Sequence, residues 1–181
     1  MFARHLLRIL IGVLVAVSAS VGCQDSTSDQ EVAGNADPAS EVRIDLLPAQ
    51  AKGRVGDTIL FSIQASSNRG LSAADIEISF DPRYVHVIAF GDGDALGPSP
   101  LRGTDHIDND SGAARIALAR VGPSDIGGPA ESALATFMLE IIGSPGDTST
   151  ALGITRVGLV DAEYNMISGV ITNHAVLDLE Q

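Results

Sequence analysis

Cysteine, tryptophan and basic residues are all scarce in this 181-residue chain. Cys23 is the single cysteine, so one chain cannot form an internal disulfide and its fold must be held by an apolar core. Tryptophan is absent, and phenylalanine and tyrosine together make up 4% of the residues. Eleven basic residues are outnumbered by 23 acidic ones, which gives a formal net charge of −12. Such a charge repels phosphate backbones and argues against nucleic-acid binding.

Patterns that would carry catalysis or hold a metal ion are also missing from the sequence. His86, His106 and His174 are scattered and lack the close spacing of a zinc site. No Gly-x-Ser-x-Gly nucleophile motif is present. An acidic turn begins at Asp108, but the twelfth position of a calcium loop counted from it is Ala119, where that loop requires a glutamate. We therefore predict a binding protein without a cofactor of its own, and not an enzyme, while weak calcium binding at the acidic turn stays open.

The first 22 residues have the three parts of a secretory signal peptide. Arg4 and Arg8 give a positive start, residues 9–21 form an apolar run broken by two serines, and small residues follow. A permanent membrane-spanning helix needs roughly 20 apolar residues, so this run is too short to be one. We predict that residues 1–22 are a signal peptide that is removed when the protein is exported.

The signal ends in Ser20-Val21-Gly22-Cys23, which resembles the lipobox of bacterial lipoproteins. In that family the cysteine sulfur receives a diacylglycerol, and cleavage then makes this cysteine the first residue. Ser20 departs from the pattern, because the family usually places leucine there. Gln24 follows the cysteine, whereas an aspartate at this place commonly marks retention in the inner membrane. The resemblance implies a protein lipidated at Cys23 and anchored at the outer membrane or cell surface, since several acyl chains hold a protein firmly to a bilayer.

Residues 24–40 are rich in Ser, Asp, Ala, Gly and Gln and have no periodic apolar face. Such a segment cannot bury enough apolar surface to offset the entropy of ordering it. We predict that residues 23–40 comprise the lipidated cysteine and a disordered tether, with a reach on the order of 20–25 Å by flexible-linker scaling. Residues 41–181 remain for one folded domain, which is long enough for a self-sufficient core.

Beyond the tether, short runs of alternating apolar and polar residues are separated by turns rich in Gly, Pro, Asp and Asn. In residues 74–80 the apolar side chains occupy the even-numbered positions, and Asp75, Glu77 and Ser79 occupy the odd-numbered ones. This alternation is typical of a half-buried strand. Residues 133–142 are largely apolar at both even- and odd-numbered positions, so both faces of the strand would be apolar. This pattern predicts a central strand. About eight strands at this spacing predict an all-β fold, a two-sheet antiparallel sandwich. The predicted strands are 58–65, 74–80, 85–90, 114–121, 133–142, 151–160 and 170–179.

Several of these segments carry motifs that follow one another in a characteristic order. A Gly-Asp-Thr turn leads into the first long predicted strand, and a later strand ends in aromatic-Asp-Pro before a valine-rich strand closed by glycine. A Pro-Gly turn and two closing strands come near the end. These landmarks lie at residues 55–59, 74–82, 84–91, 112–119, 133–141, 144–148, 161–167 and 170–179. From about residue 42 to residue 179, the chain resembles the cohesin domain of cellulosome scaffoldins.

The resemblance implies a jelly-roll sandwich of eight to nine strands, one flat sheet face of which captures a dockerin. Dockerins are small, calcium-loaded helical modules carried by enzymes, so calcium is expected on the partner and a part in polysaccharide breakdown is implied. Asp75 occupies a position that contacts the dockerin in many cohesins, and Glu77 and Ser79 point to the same side. Ala73 and Arg120 stand at two further positions of that face, where cohesins often carry an asparagine and an acid. We therefore expect these five residues to form a partner-binding surface.

The sequence leaves two other functions open. A carbohydrate-binding module would share the sandwich fold, because fold does not determine function. Polysaccharide surfaces are usually gripped by exposed aromatic rings, and a chain without tryptophan offers few of them. The second alternative is a structural module that pairs with its own kind. The side chains of Asp75 and Glu77 could equally form a solvated strand face.

Overall fold

The computed structural model describes residues 42–122, 131–146 and 148–180. The predicted signal peptide, Cys23 and the tether lie outside these described residues, so the predicted lipidation stays a prediction. Within the described ranges there is no apolar helix long enough to cross a membrane. The thirteen strands of the described ranges are β1 (Arg43–Leu47), β2 (Gln50–Gly53), β3 (Thr58–Ser66), β4 (Leu71–Ser79), β5 (Val85–Asp92), β6 (Leu101–Arg102), β7 (His106–Asp108), β8 (Ala113–Ala119), β9 (Glu131–Ile141), β10 (Thr148–Asp161), β11 (Met166–Ile167), β12 (Ile171–Asn173) and β13 (Ala175–Leu179).

The strands form two sheets around one apolar core, which confirms the predicted β-sandwich. The smaller sheet has the order β12-β1-β3-β9-β5, and the larger sheet has the order β2-β13-β10-β4-β8-β6. Two short strands extend the larger sheet, since β11 pairs with β10 and β7 with β8. Most pairs are antiparallel, but β1 pairs with β12 and β2 with β13 in parallel. The sheets are thus mixed, whereas the sequence predicts antiparallel ones. The sequence does not reveal this difference, because alternation reports which side of a strand is buried and not the direction of its neighbour.

Six predicted strands occur near their predicted places as β3, β4, β5, β8, β9 and β10. The predicted strand over residues 170–179 is instead two strands, β12 in the smaller sheet and β13 in the larger one, separated at His174. β9 lies between β3 and β5, as expected of a strand that is apolar at both parities. The described strands outnumber the eight or nine expected, because strands as short as β6, β7 and β11 have too few residues to produce a periodic signal.

The core between the sheets is built from the inward-facing side chains of the long strands. In β4, Ala74, Ile76 and Ile78 are at most 6% exposed, and the residues between them are partly exposed. Phe61 of β3 and Phe137 of β9 stack with their ring centroids 5.4 Å apart. Aromatic pairs of this kind add about 0.5–1.5 kcal/mol beyond the burial of their surface. The core therefore fixes which side of β4 faces solvent.

Strand β5 forms one edge of the smaller sheet, and its pairing with β9 is irregular. The register shifts between Val87 and Ala89. Here the side-chain amide of Asn109 accepts a hydrogen bond from the Val87 N–H at 2.9 Å and donates one to the Val87 carbonyl at 3.0 Å. The side chain of Asn109 thus pairs with β5 as the backbone of a neighbouring strand would.

Candidate partner-binding face

The exposed side of the larger sheet is centred on β4, which lies between β10 and β8. Because the alternate residues of β4 are fixed in the core, Ala73, Asp75, Glu77 and Ser79 lie on the opposite side and are partly exposed. The structure therefore brings four of the five predicted residues onto one surface. We call this surface the outer face, and it comprises the outward residues of β10, β4, β8, β6 and β11.

An ion cluster lies at the centre of the outer face, where Asp75 meets two arginines from neighbouring strands. Arg115 of β8 donates hydrogen bonds from Nε and Nη2 to the two carboxylate oxygens of Asp75, each at 2.6 Å. Arg156 of β10 brings its Nε within 3.4 Å of Asp75 Oδ2. Glu77 is the cross-strand neighbour of both arginines, and its Oε1 accepts a hydrogen bond from Thr155 Oγ1 at 2.9 Å. Two carboxylates and two guanidinium groups therefore balance each other in charge.

The closest pair of the cluster is held in its charged form. Hydrogen bonds from Arg115 lower the pKa of Asp75 below its ordinary value of 3.8, partial burial opposes that shift, and the charges of Arg115 and Arg156 lower the pKa further. The hydrogen bond to Asp75 raises the pKa of Arg115 in turn. These side chains remain partly exposed, so solvent screens their attraction and the pair adds little to stability. Its main consequence is geometric, because two-point pairing fixes the plane of the Arg115 guanidinium on the outer face.

The outer face contains an open depression of about 540 Å³, which Asp75 and Arg156 of the ion cluster and Arg102 of β6 help to line. Two long apolar side chains border it. Leu101 of β6 stands opposite Ala119 and is 65% exposed, and Met166 of β11 stands opposite Val160 and is 71% exposed. We call this depression the apolar trough. Its floor consists of small side chains from three adjacent strands, namely Ala73, Ala117, Ala119, Gly158 and Val160.

Arg120 does not join the other predicted residues on the outer face. It comes directly after β8 and continues the alternation of the buried residues of that strand. Its backbone N–H donates a hydrogen bond to the Ser72 carbonyl. Its guanidinium donates from Nε to the Leu71 carbonyl at 3.0 Å and from Nη2 to the Ala95 carbonyl at 3.1 Å. The side chain thus ties the start of β4 to the loop after β5. The position of Arg120 supports a role in holding these segments and not the expected contact with a partner.

Solved structures of cohesin domains resemble this sandwich. A non-cellulosomal cohesin from the hyperthermophilic archaeon Archaeoglobus fulgidus has 14% identity and a TM-score of 0.63, over 78% of this chain and 93% of that one. A ScaC cohesin of Acetivibrio cellulolyticus, solved with the ScaB dockerin, has 14% identity and a TM-score of 0.62, over 77% and 99%. The Coh-OlpA–Doc918 complex of Clostridium thermocellum matches at 15% identity and a TM-score of 0.64, again over 77% and 99%. This domain has the cohesin fold.

The cohesin fold expected from the ordered motifs is thus confirmed by the structure. No family model matches the sequence, and no curated protein matches it either. At identities this low the likeness establishes the fold alone. What the cohesin-fold domain binds has to be argued from its own side chains.

The sequence patterns do not single out four residues on the outer face of the cohesin-fold domain, namely Arg115, Arg156, Leu101 and Met166. The parity of Arg115 within its predicted strand already indicates an outward side chain. Its pairing with Asp75, 40 residues earlier, depends on a register that alternation does not provide. Leu101 and Met166 lie in strands of two residues each, which no periodic signal reveals.

The described part of the cohesin-fold domain does not gather metal ligands. No group of three or more His, Cys, Asp or Glu side chains in the described ranges is placed to hold a metal ion. In the acidic turn, Asp108 Oδ1 accepts hydrogen bonds from the backbone N–H groups of Asp110 and Ser111, both at 3.1 Å. That carboxylate oxygen therefore closes its own turn, as aspartate commonly does.

Proposed function

We propose that the cohesin-fold domain is a binding module that captures a dockerin-type protein partner on its outer face. The observation that carries this proposal is the apolar trough beside the ion cluster. An apolar centre bordered by polar groups is the usual composition of a protein–protein interface. Two of the three similar structures described above are complexes of cohesins with dockerins.

The shape of the trough favours a helical partner. Helix axes approach to about 8–10 Å, and the closest approaches need small side chains at the contact. Alanine and glycine on the floor allow this approach, while Leu101 and Met166 would pack against the sides of the helix. The guanidinium groups of Arg115 and Arg156 offer donors to carboxylates or carbonyls of the same partner. A small helical module therefore suits both the form and the charge of this surface.

Carbohydrate binding, the alternative, is not favoured by the exposed side chains. Tyr164 is the only largely exposed aromatic residue in the described ranges. The four described phenylalanines, Phe61, Phe80, Phe90 and Phe137, are all buried. A stacking platform for a sugar chain needs several rings in line, and a single tyrosine does not provide one.

We also propose that the domain works outside the cytoplasm, held by lipid on Cys23 at the outer membrane or cell surface. The signal-like start of the chain and the lipobox pattern support this placement. A dockerin-bearing enzyme captured there would act on polysaccharides outside the cell. In cells fed a palmitate analogue, Cys23→Ser should abolish labelling of the protein. Equal labelling of the wild type and the variant would contradict the anchor.

Titration calorimetry of the purified protein against calcium-loaded dockerins tests the proposed function. The probes are any dockerin modules that the source organism encodes and the ScaB dockerin of Acetivibrio cellulolyticus, and at least one should bind saturably. Ala117→Arg, which fills the floor of the trough, should weaken that binding by at least about a hundredfold. Ala89→Arg, on the exposed edge strand of the smaller sheet, is the matched control and should bind as the wild type does. Binding of no probe, or an equal loss in both variants, would overturn the proposal.

A further inference from the structure

We propose that the partner surface continues beyond the apolar trough onto the turn of residues 161–165, where Tyr164 is a specificity-determining contact. This inference rests on the proposed function and adds a further part to the same surface. The turn joins β10 to β11, so it lies at the end of the outer face, next to Met166. The occupant is the same dockerin-type module that covers the trough.

Tyr164 exposes a large apolar ring to solvent. Its 81% exposure is the greatest among the large hydrophobic residues of the described ranges. Two residues later, Met166 is 71% exposed and lines the trough. The Cα atoms of residues two apart are at most about 7 Å from each other, so a partner that contacts Met166 has Tyr164 within reach. Tyrosine combines an apolar ring with a polar tip, which makes it common among the residues that anchor interfaces.

The backbone of Tyr164 has a conformation that tyrosine rarely adopts. Its φ is 65°, and it is the only non-glycine residue in the described ranges with a positive φ. Glycine and asparagine enter this left-handed region at a lower cost. Since the ring is exposed, its packing within the fold offsets little of this backbone strain. Residues strained in this way concentrate at binding sites, which points to a role of Tyr164 outside the fold.

Asp161 holds this turn in one conformation. Its carboxylate accepts hydrogen bonds from the backbone N–H groups of Glu163 at 3.0 Å and of Asn165 at 2.8 Å. Its carbonyl accepts one from the Tyr164 N–H at 3.1 Å, and its own N–H donates to the Asn165 carbonyl at 2.9 Å. Asp161 itself is only 5% exposed. The backbone that carries Tyr164 is therefore fixed before a partner arrives, and a fixed contact loses less conformational freedom on binding.

Two substitutions separate a contact with the partner from a role in the turn. Tyr164→Asn removes the ring and suits the left-handed backbone. It should weaken dockerin binding by at least about tenfold while the melting temperature stays the same or rises. Tyr164→Phe keeps the ring and should bind within about threefold of the wild type. Titration calorimetry with the dockerin that binds the wild type, and scanning calorimetry of each variant, give the two readouts.

Unchanged affinity of Tyr164→Asn overturns the inference, and so does a loss of affinity that comes with a lower melting temperature. Ala117→Arg, measured alongside, keeps this inference apart from the proposed function. If Ala117→Arg abolishes binding and Tyr164→Asn does not, the trough remains the binding surface and its extension onto the turn is wrong. If Ala117→Arg leaves binding unchanged, or the wild type binds no dockerin, both proposals are wrong.

Discussion

The outer sides of the two sheets expose different kinds of apolar surface. On the smaller sheet, Leu60 of β3 and Met138 of β9 stand directly opposite each other and are 60% and 41% exposed. On the larger sheet, the long side chains of Leu101 and Met166 stand at opposite borders of the trough. Alanine, glycine and valine lie between them, and the ion cluster adjoins them.

Exposed apolar area by itself therefore does not distinguish a binding surface. Long cross-strand neighbours such as Leu60 and Met138 interact with each other and cover their own strands. The trough instead leaves small side chains and backbone accessible between two apolar borders, with charges of fixed orientation next to them. If this difference determines function, changes to the outer face should abolish binding, and matched changes to the smaller sheet should not.

The largest expected effect concerns the core that both surfaces share. Phe137 stacks on Phe61 and packs against Phe90 with the ring centroids 6.2 Å apart. Phe137→Ala should lower the free energy of unfolding by about 3–5 kcal/mol, because it leaves a cavity between the sheets. Urea denaturation followed by circular dichroism measures this loss. A loss below about 1 kcal/mol would mean that this aromatic cluster contributes little to the stability of the core.

Truncating the long side chains of each sheet tests the comparison directly. Leu101→Ala combined with Met166→Ala should weaken dockerin binding by about thirtyfold, or roughly 2 kcal/mol, as the loss of interface anchors does. The matched pair on the smaller sheet, Leu60→Ala with Met138→Ala, should stay within about twofold of the wild type. Titration against the same dockerin measures both variants. A loss confined to the second pair would move the interface to the smaller sheet.

Removing the central carboxylate tests the ion cluster. Asp75→Ala frees Arg115 and Arg156 from the group that orients them, and it should weaken binding by at least about tenfold, or about 1.4 kcal/mol. The control Asp45→Ala removes a carboxylate of the smaller sheet that accepts a hydrogen bond from Asn173, and its affinity should not change. Melting curves establish that each variant is folded. Unchanged affinity in folded Asp75→Ala would exclude the ion cluster from the interface.

The smallest expected effect is a pH dependence confined to acid. Hydrogen bonds from Arg115 lower the pKa of Asp75 below 3.8, so its carboxylate stays charged in the folded protein at neutral and mildly acidic pH. A lowered folded-state pKa contributes stability that is present above the unfolded pKa and lost as the pH falls through the folded value. The contribution of Asp75 to affinity and stability should therefore be constant from about pH 8 to pH 5 and disappear below its ordinary pKa. Titrations of the wild type and Asp75→Asn from pH 8 down to below 3.8, the ordinary pKa, measure it. A difference between them that changes near neutral pH would implicate another group.

The sequence predicts the parity of the long strands well, because alternation is a property of each strand by itself. The outward direction of Asp75 follows from the buried isoleucines on either side of it in β4. The contacts of Asp75 with Arg115 and Arg156 do not follow, since they depend on the register between strands distant in the chain. Arg120 is a different case, because its inward direction continues the alternation of the buried residues in β8, and only the resemblance to cohesins implied a partner contact there.

The hydrogen bonds between Asn109 and Val87 affect how readily a strand of another chain can pair with β5. An edge strand with free backbone groups is a template onto which another chain adds a strand, and such additions start aggregation. Asn109 occupies the N–H and carbonyl of Val87 beside the irregularity in β5. An incoming strand therefore cannot pair continuously along this edge. A single amide, 22 residues further along the chain, thus interrupts the row of free backbone groups on this edge.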